Sequence, residues 1–219
     1  MTKFYILTYI AIVMPATIFT IGHSNHAPEY FGELLTLFGI TCLIDVRSVA
    51  ASAYNPQYNK EPLLAFLKNR GISYLHFAAE FGARHTNAAL LDTDGRVDFE
   101  KVRQSTIFRV GVERLRQGLD RGYTIGLMCS EAEPFDCHRF AMISKHLTEH
   151  DFEVWHILND KTAVPNADLE DELLKKYRKK IPQPGLFEPH VSRQTQLEVA
   201  YRLRNQDIGW SPDQLPSDD

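Results

Sequence analysis

Cysteine is scarce, with three in 219 residues. So small and odd a number does not make a disulfide framework, and a reducing compartment, the cytoplasm, is expected. Nor does charge of one sign dominate. A formal net charge of -4 gives no global pull towards nucleic acid, so any such contact would rest on a local patch. Long hydrophobic runs are missing too, apart from Phe4 to Met14 behind a single Lys3, which is too short to span a bilayer. Small residues that a leader peptidase could use, Pro15-Ala16-Thr17, lead straight into a segment the fold needs as a strand. Translation from Met14 is the plainer account and makes residues 1–13 an N-terminal extension. No membrane association is expected.

With 44% hydrophobic residues the chain can bury one full core. From Thr17 onward short apolar runs alternate with helical patterns, which predicts a three-layer, Rossmann-like α/β domain over 14–159. Its mostly parallel sheet has about five strands, with helices on both faces. The strands are Thr17–Gly22, Thr41–Val46, Ser73–Phe77, Tyr123–Met128 and Glu153–Leu158. Helices are expected at Pro28–Gly39, Lys60–Arg70, Phe99–Arg121 and His138–Glu149, with Gly39 and Gly71 ending the first two. A long polar loop, Ala78–Val97, follows the third strand. Residues 160–219 form a C-terminal helical appendage with helices at Asn166–Lys180 and Ser192–Asn205, and Ser211–Asp219 reads as a disordered tail.

In an open parallel sheet, ligands bind outside the carboxyl ends of the strands. That edge collects His23, Ser24 and Asn25 after the first strand, Asp45, Arg47, Ser48 and Ser52 after the second, and Gly82 after the third. The fourth strand leads into Cys129-Ser-Glu-Ala-Glu-Pro-Phe-Asp-Cys-His-Arg139. Here a thiol at a strand end faces an arginine in the first helical turn, surroundings that favour a thiolate. Glu131, Glu133 and Asp136 oppose that, and the loop has no glycine with which to cradle a phosphate.

Two enzymatic readings stay open. In one, Glu131 is acid or nucleophile, with Asp45 and Arg139 orienting it and His23 and Ser24 on the substrate, a small nucleotide-like or nucleic-acid-derived molecule. In the other, Cys129 is the nucleophile of a sulfur- or phosphoryl-transfer enzyme. A third, non-catalytic reading makes Arg47, His138 and Arg139 a recognition patch. Metal ligation by Cys129, Cys137 and His138 is not expected, because the spacing is not that of a zinc knuckle and adjacent Cys137 and His138 would struggle to share one ion. The residues name no cofactor and no oligomeric state.

Taken together, Thr20-Ile-Gly-His-Ser-Asn25, Ile44-Asp-Val-Arg-Ser48, Ser52 and the Cys-x-Glu…Cys-His-Arg segment resemble the family called domain of unknown function 488, over about Ile18 to Leu158. The resemblance implies a compact α/β domain with its site at these motifs, and no established reaction. Members carry Leu-Gly-Gly where this chain has Phe81-Gly82-Ala83, so a close backbone approach to ligand at Ala83 is not implied.

Overall fold

The computed structural model describes residues 16–185 and 190–214. The N-terminal extension and most of the expected disordered tail therefore lie outside the described residues. Six strands form one sheet: β1 (Ala16–Gly22), β2 (Cys42–Asp45), β3 (Ser73–His76), β4 (Ile125–Cys129), β5 (Phe152–Ile157) and β6 (Ala163–Pro165). Their order is β3-β2-β4-β1-β5-β6; the first five run parallel, and β6 pairs antiparallel with β5. This is the expected α/β architecture with one strand added. Three residues ending in proline carry no readable periodicity, and Pro165 is tolerated because an edge strand need not donate on its outer side.

Side chains leave the central strands alternately towards two clusters, as strand geometry requires. On one face Ile21, Leu43 and Met128 pack against α1 (Pro28–Leu37) and α2 (Lys60–Lys68). On the other, Ile18, Cys42, Ile44, Ile125, Leu127 and Cys129 join the larger cluster. The helices over that second face are α3 (Ala78–Phe81), α4 (Phe99–Gln104), α5 (Thr106–Asp120), α6 (Lys145–Thr148), α7 (Asn166–Lys176) and α8 (Arg193–Ile208). Leu169 and Leu173 of α7 and Leu197, Ala200 and Tyr201 of α8 lie in the same cluster as the sheet, so the C-terminal helices share its core. Gly39 and Gly71, at φ +63° and +69°, take the left-handed conformation that ends α1 and α2.

Two expected helices take another form. The pattern from Phe99 to Arg121 breaks at Ser105, whose backbone is extended and whose hydroxyl accepts the Phe108 N–H to cap α5. A serine that satisfies a free helix-end donor favours a cap over a helix interior. The helix after the Cys129 loop opens with a wide π-helical turn, Arg139–Ser144, buried throughout, in which Ser144 Oγ donates to the Arg139 carbonyl at 2.7 Å. Such turns concentrate at functional sites. Among the described residues no helix is long and apolar enough to cross a membrane.

Candidate functional site

The central neighbours β1 and β4 end level, Gly22 beside Cys129, and their pairing continues into the loops through His23 N–H to Cys129 O and Ser24 N–H to Ser130 O. The loop then folds back over β1. A Cβ on Gly22 would lie 1.9 Å from the Glu131 carbonyl oxygen, so the position tolerates no side chain. From beneath, the fully buried Arg139 donates to the Glu131 carbonyl at 2.6 Å and the Ala132 carbonyl at 2.8 Å. Two rigid constraints therefore place Glu131. Gly22→Ala should cost about 1–3 kcal/mol, as overpacking does. A urea midpoint unchanged by it would mean that the loop yields freely.

Four side chains converge where this loop meets the next helix. The ligating atoms of Cys129, Glu131, Cys137 and His138 all lie within 4.8 Å of one another. His138 Nδ1 is 3.8 Å from Cys129 Sγ and 3.7 Å from Cys137 Sγ, and the Cys137 thiol donates to Glu131 Oε2 at 3.1 Å. Adjacent Cys137 and His138, expected to struggle to reach one point, bring Sγ and Nδ1 to 3.7 Å of each other. The thiols titrate as one unit. Burial raises both, but the neighbouring Cys137 thiol, the His138 ring and the Arg139 guanidinium carry Cys129 well below the ordinary thiol range, while Cys137 goes up. Burial, then the Cys129 charge, raises the Glu131 carboxyl.

Beside this cluster stands a second polar assembly. Asp45 is fully buried; its carboxylate accepts from Arg47 N and Nε on one oxygen and from Arg47 Nη2 and Tyr74 Oη on the other. Arg47 also donates to the Tyr58 carbonyl and to His23 Nε2. His23 Nδ1–H donates to the Ser24 carbonyl, which fixes a neutral ring stacked on Tyr58, and burial lowers its pKa to about 4.

These groups border a cleft of about 450 Å³. Cys129, Glu131, Cys137 and His138 line it, and so do His23, Arg47, Ser48 and Ser52. Ser48 Oγ accepts the Arg84 N–H, and Ser52 Oγ accepts the N–H groups of Tyr54 and Asn55, so both hydroxyls also shape the loops they sit on.

Five expected site residues stand elsewhere. Asp45, expected beside Glu131, is used up by Arg47 and Tyr74 and does not line the cleft. Arg139 holds Glu131 through backbone carbonyls and cannot touch a substrate. Ser24 adopts a positive φ of 49° at the turn and its hydroxyl donates to Asn25; neither residue lines the cleft. Gly82 packs so tightly that a Cβ would meet the Ala78 carbonyl at 2.4 Å and Ser48 Oγ at 2.8 Å, while Ala83 and Arg84 face the cleft instead.

One wall has no counterpart in the sequence reading. Asp207, Ile208, Gly209 and Trp210, at the end of α8, line the cleft. Their placement comes from Arg204, buried, which donates to the Phe135 carbonyl and pairs with Asp136 of the site loop. Asn205 adds a clamp, donating to the Val97 carbonyl while accepting the Phe99 N–H, and Val97 N–H reaches the Trp210 carbonyl. A tryptophan after the glycine that ends α8 was the available signal, but nothing in the sequence tied it to a loop some seventy residues earlier.

Fold and site define a class: a six-stranded, mostly parallel α/β protein with a Cys–Glu–Cys–His cluster at the carboxyl edge of its sheet. Residues 27–145 match the family described as Domain of unknown function DUF488, and the chain belongs to it. No curated protein and no solved structure matches the chain. The matched span ends before α8, so the Trp210 wall lies outside it.

Proposed function

We propose that the chain is an enzyme acting on a small, nucleotide-like molecule held in the cleft, with Glu131 moving the proton in the reaction. One observation carries this reading: Glu131 lines a ligand-sized cavity, and its carboxylate accepts the Cys137 thiol. A group that must give or take a proton has to meet substrate while its own position is fixed. Glu131 has both properties; its carbonyl is pinned by Arg139 and its carboxylate by Cys137. The cavity volume falls in the range of about 300–1,000 Å³ usual for small-molecule sites. The same cleft is lined by Trp210, an aromatic suited to a flat ring, and by Arg84, Ser48 and Ser52, polar groups suited to a sugar or phosphate.

A thermal-shift screen of nucleosides, nucleotides and nucleic-acid fragments, followed by chromatographic assay of the hits, tests the reading, because a ligand of the native state raises its stability. Glu131→Gln should keep the thermal shift and lose about 100-fold or more in turnover. Full turnover in that variant would remove Glu131 from the chemistry. Binding of a nucleotide with no turnover by the wild type would point to a recognition module. The 3.8 Å approach of Cys129 Sγ to His138 Nδ1 favours a second reading, in which Cys129 is the nucleophile of a sulfur- or phosphoryl-transfer reaction. It requires a free thiolate and a covalent adduct on Cys129 that mass spectrometry of the reacting enzyme would detect.

A further inference from the structure

We infer that Cys129, Cys137 and His138 bind a divalent transition-metal ion of the zinc class, through Cys129 Sγ, Cys137 Sγ and His138 Nδ1, with the fourth position facing the cleft beside Glu131. Four features of the surroundings lead to this. First, the distances suit it. With metal–sulfur bonds of about 2.3 Å and metal–nitrogen bonds of about 2.0–2.1 Å, neighbouring ligands of a tetrahedral ion stand about 3.5 Å apart. The two sulfur–nitrogen separations here are 3.8 and 3.7 Å, so the cluster would close by a few tenths of an ångström.

Second, the imidazole is prepared. His138 Nε2 lies 3.2 Å from the Val46 carbonyl, to which it donates, and Nδ1 faces the two sulfurs. Ligating histidines characteristically anchor their second nitrogen in this way, which fixes tautomer and ring orientation. Third, Cys137 Sγ accepts the backbone N–H of Arg139 at 3.4 Å, which fixes the sulfur beside His138 Nδ1. Fourth, the charges balance. Arg139 is wholly buried and, among the described residues, meets carbonyl oxygens rather than a carboxylate. An uncompensated buried cation is costly. Two thiolates and the Glu131 carboxylate set against one divalent ion would leave one negative charge beside the site, which Arg139 neutralises.

Sulfur and imidazole together select zinc, or another borderline ion, over magnesium or calcium, which prefer oxygen. Three protein ligands and an open position are the arrangement of catalytic rather than structural zinc. On metal binding the Cys137 thiol would release its proton to solvent, and Glu131 would exchange that hydrogen bond for one to a water or substrate atom held by the ion, which ties the inference to the proposed role of Glu131. Metal binding itself needs no turnover, so the two can fail separately.

The test uses the full chain, purified under reducing conditions without chelator. Elemental analysis should find about one equivalent of zinc or a similar ion. Stripping with dipicolinate should lower the melting temperature, and one equivalent of Zn(II) should restore it. Co(II) added to the stripped protein should give thiolate-to-cobalt charge-transfer absorption with the strong visible bands of a four-coordinate site, saturating at one equivalent. Cys129→Ser and His138→Asn should each lose metal about tenfold or more, whereas Glu131→Gln should retain it. Stripped wild-type protein needs no substitution to fold, so its cobalt spectrum decides the matter even where the variants do not fold. Absence of charge transfer, or loss of the ion in Glu131→Gln, would overturn the three-ligand assignment. Metal retained with turnover unaffected by Glu131→Gln would leave the site standing and remove the proposed chemistry.

Discussion

Asp45→Ala should lower folding stability by about 3–5 kcal/mol, the loss typical when one partner of a buried ion pair is removed. The size of the effect lies in what is left behind. Asp45 is 0% and Arg47 5% exposed, so water cannot take over from the missing carboxylate. The guanidinium would lose the bonds from Nε and Nη2 to Asp45, keep those to the Tyr58 carbonyl and to His23, and stay charged in the core. Tyr74 Oη, which donates to the same carboxylate at 2.9 Å, would lose its partner as well. Removing both charges should cost much less, because a well-packed apolar pair avoids the desolvation that the ion pair has to overcome. The double variant Asp45→Leu with Arg47→Met should therefore recover part of the lost stability, the Tyr74 hydroxyl, the Tyr58 carbonyl and His23 Nε2 being left without their partners. Urea midpoints of the single and double variants measure the difference. A single variant within about 1 kcal/mol of wild type would mean that Arg47 finds another anion or reaches solvent.

That pair also shows what the sequence could reveal. Asp-Val-Arg at a strand end announced a polar cluster at the right edge of the sheet, and alternation along the strand puts positions 45 and 47 on one side. Which group each would meet depended on Tyr74, from β3, and on Tyr58, from a single 3-10 turn too short to show a periodic pattern. The parallel strands were legible because most are short apolar runs beside a turn or helix signal, β3, Ser-Tyr-Leu-His, being the weakest, whereas β6 and the break at Ser105 turn on single residues. The Cys129–Arg139 loop was legible as the centre of the site. Its chemistry was not, because sequence spacing says nothing of side-chain convergence: Cys137 and His138 are adjacent, yet Sγ and Nδ1 come within 3.7 Å of each other. The α8 wall was hidden for a different reason. Arg204 reads in the sequence as one more charge on a surface helix, and only the tertiary structure shows it buried against the site loop.

Stability should fall as the solution is acidified below pH 6.5, and His156 should account for a large part of the loss. The ring is wholly buried; Nδ1 accepts the Thr20 hydroxyl at 2.8 Å and Nε2–H donates to Asn166 Oδ1 at 3.1 Å, so both nitrogens are satisfied in the neutral state. Burial opposes protonation most strongly, the Asn166 bond favours it, the Arg139 charge opposes it, and the pKa falls to about 3 from an ordinary 6.5. Between those values the unfolded chain binds a proton that the folded chain refuses, so unfolding gains as pH drops. The contribution is fully present above pH 6.5, is lost at about 1.4 kcal/mol per pH unit below it, and amounts to about 4 kcal/mol by pH 3. His23 and His146, each lowered to about 4 chiefly by burial, steepen the same limb. His156→Gln separates the terms, since an amide can accept from Thr20 and donate to Asn166 yet does not titrate. Urea unfolding of both proteins from pH 7 to pH 4.5 should show the variant less stable at neutral pH but shallower in acid by about one proton. Parallel slopes would show that His156 is protonated, or hydrated, in the folded state.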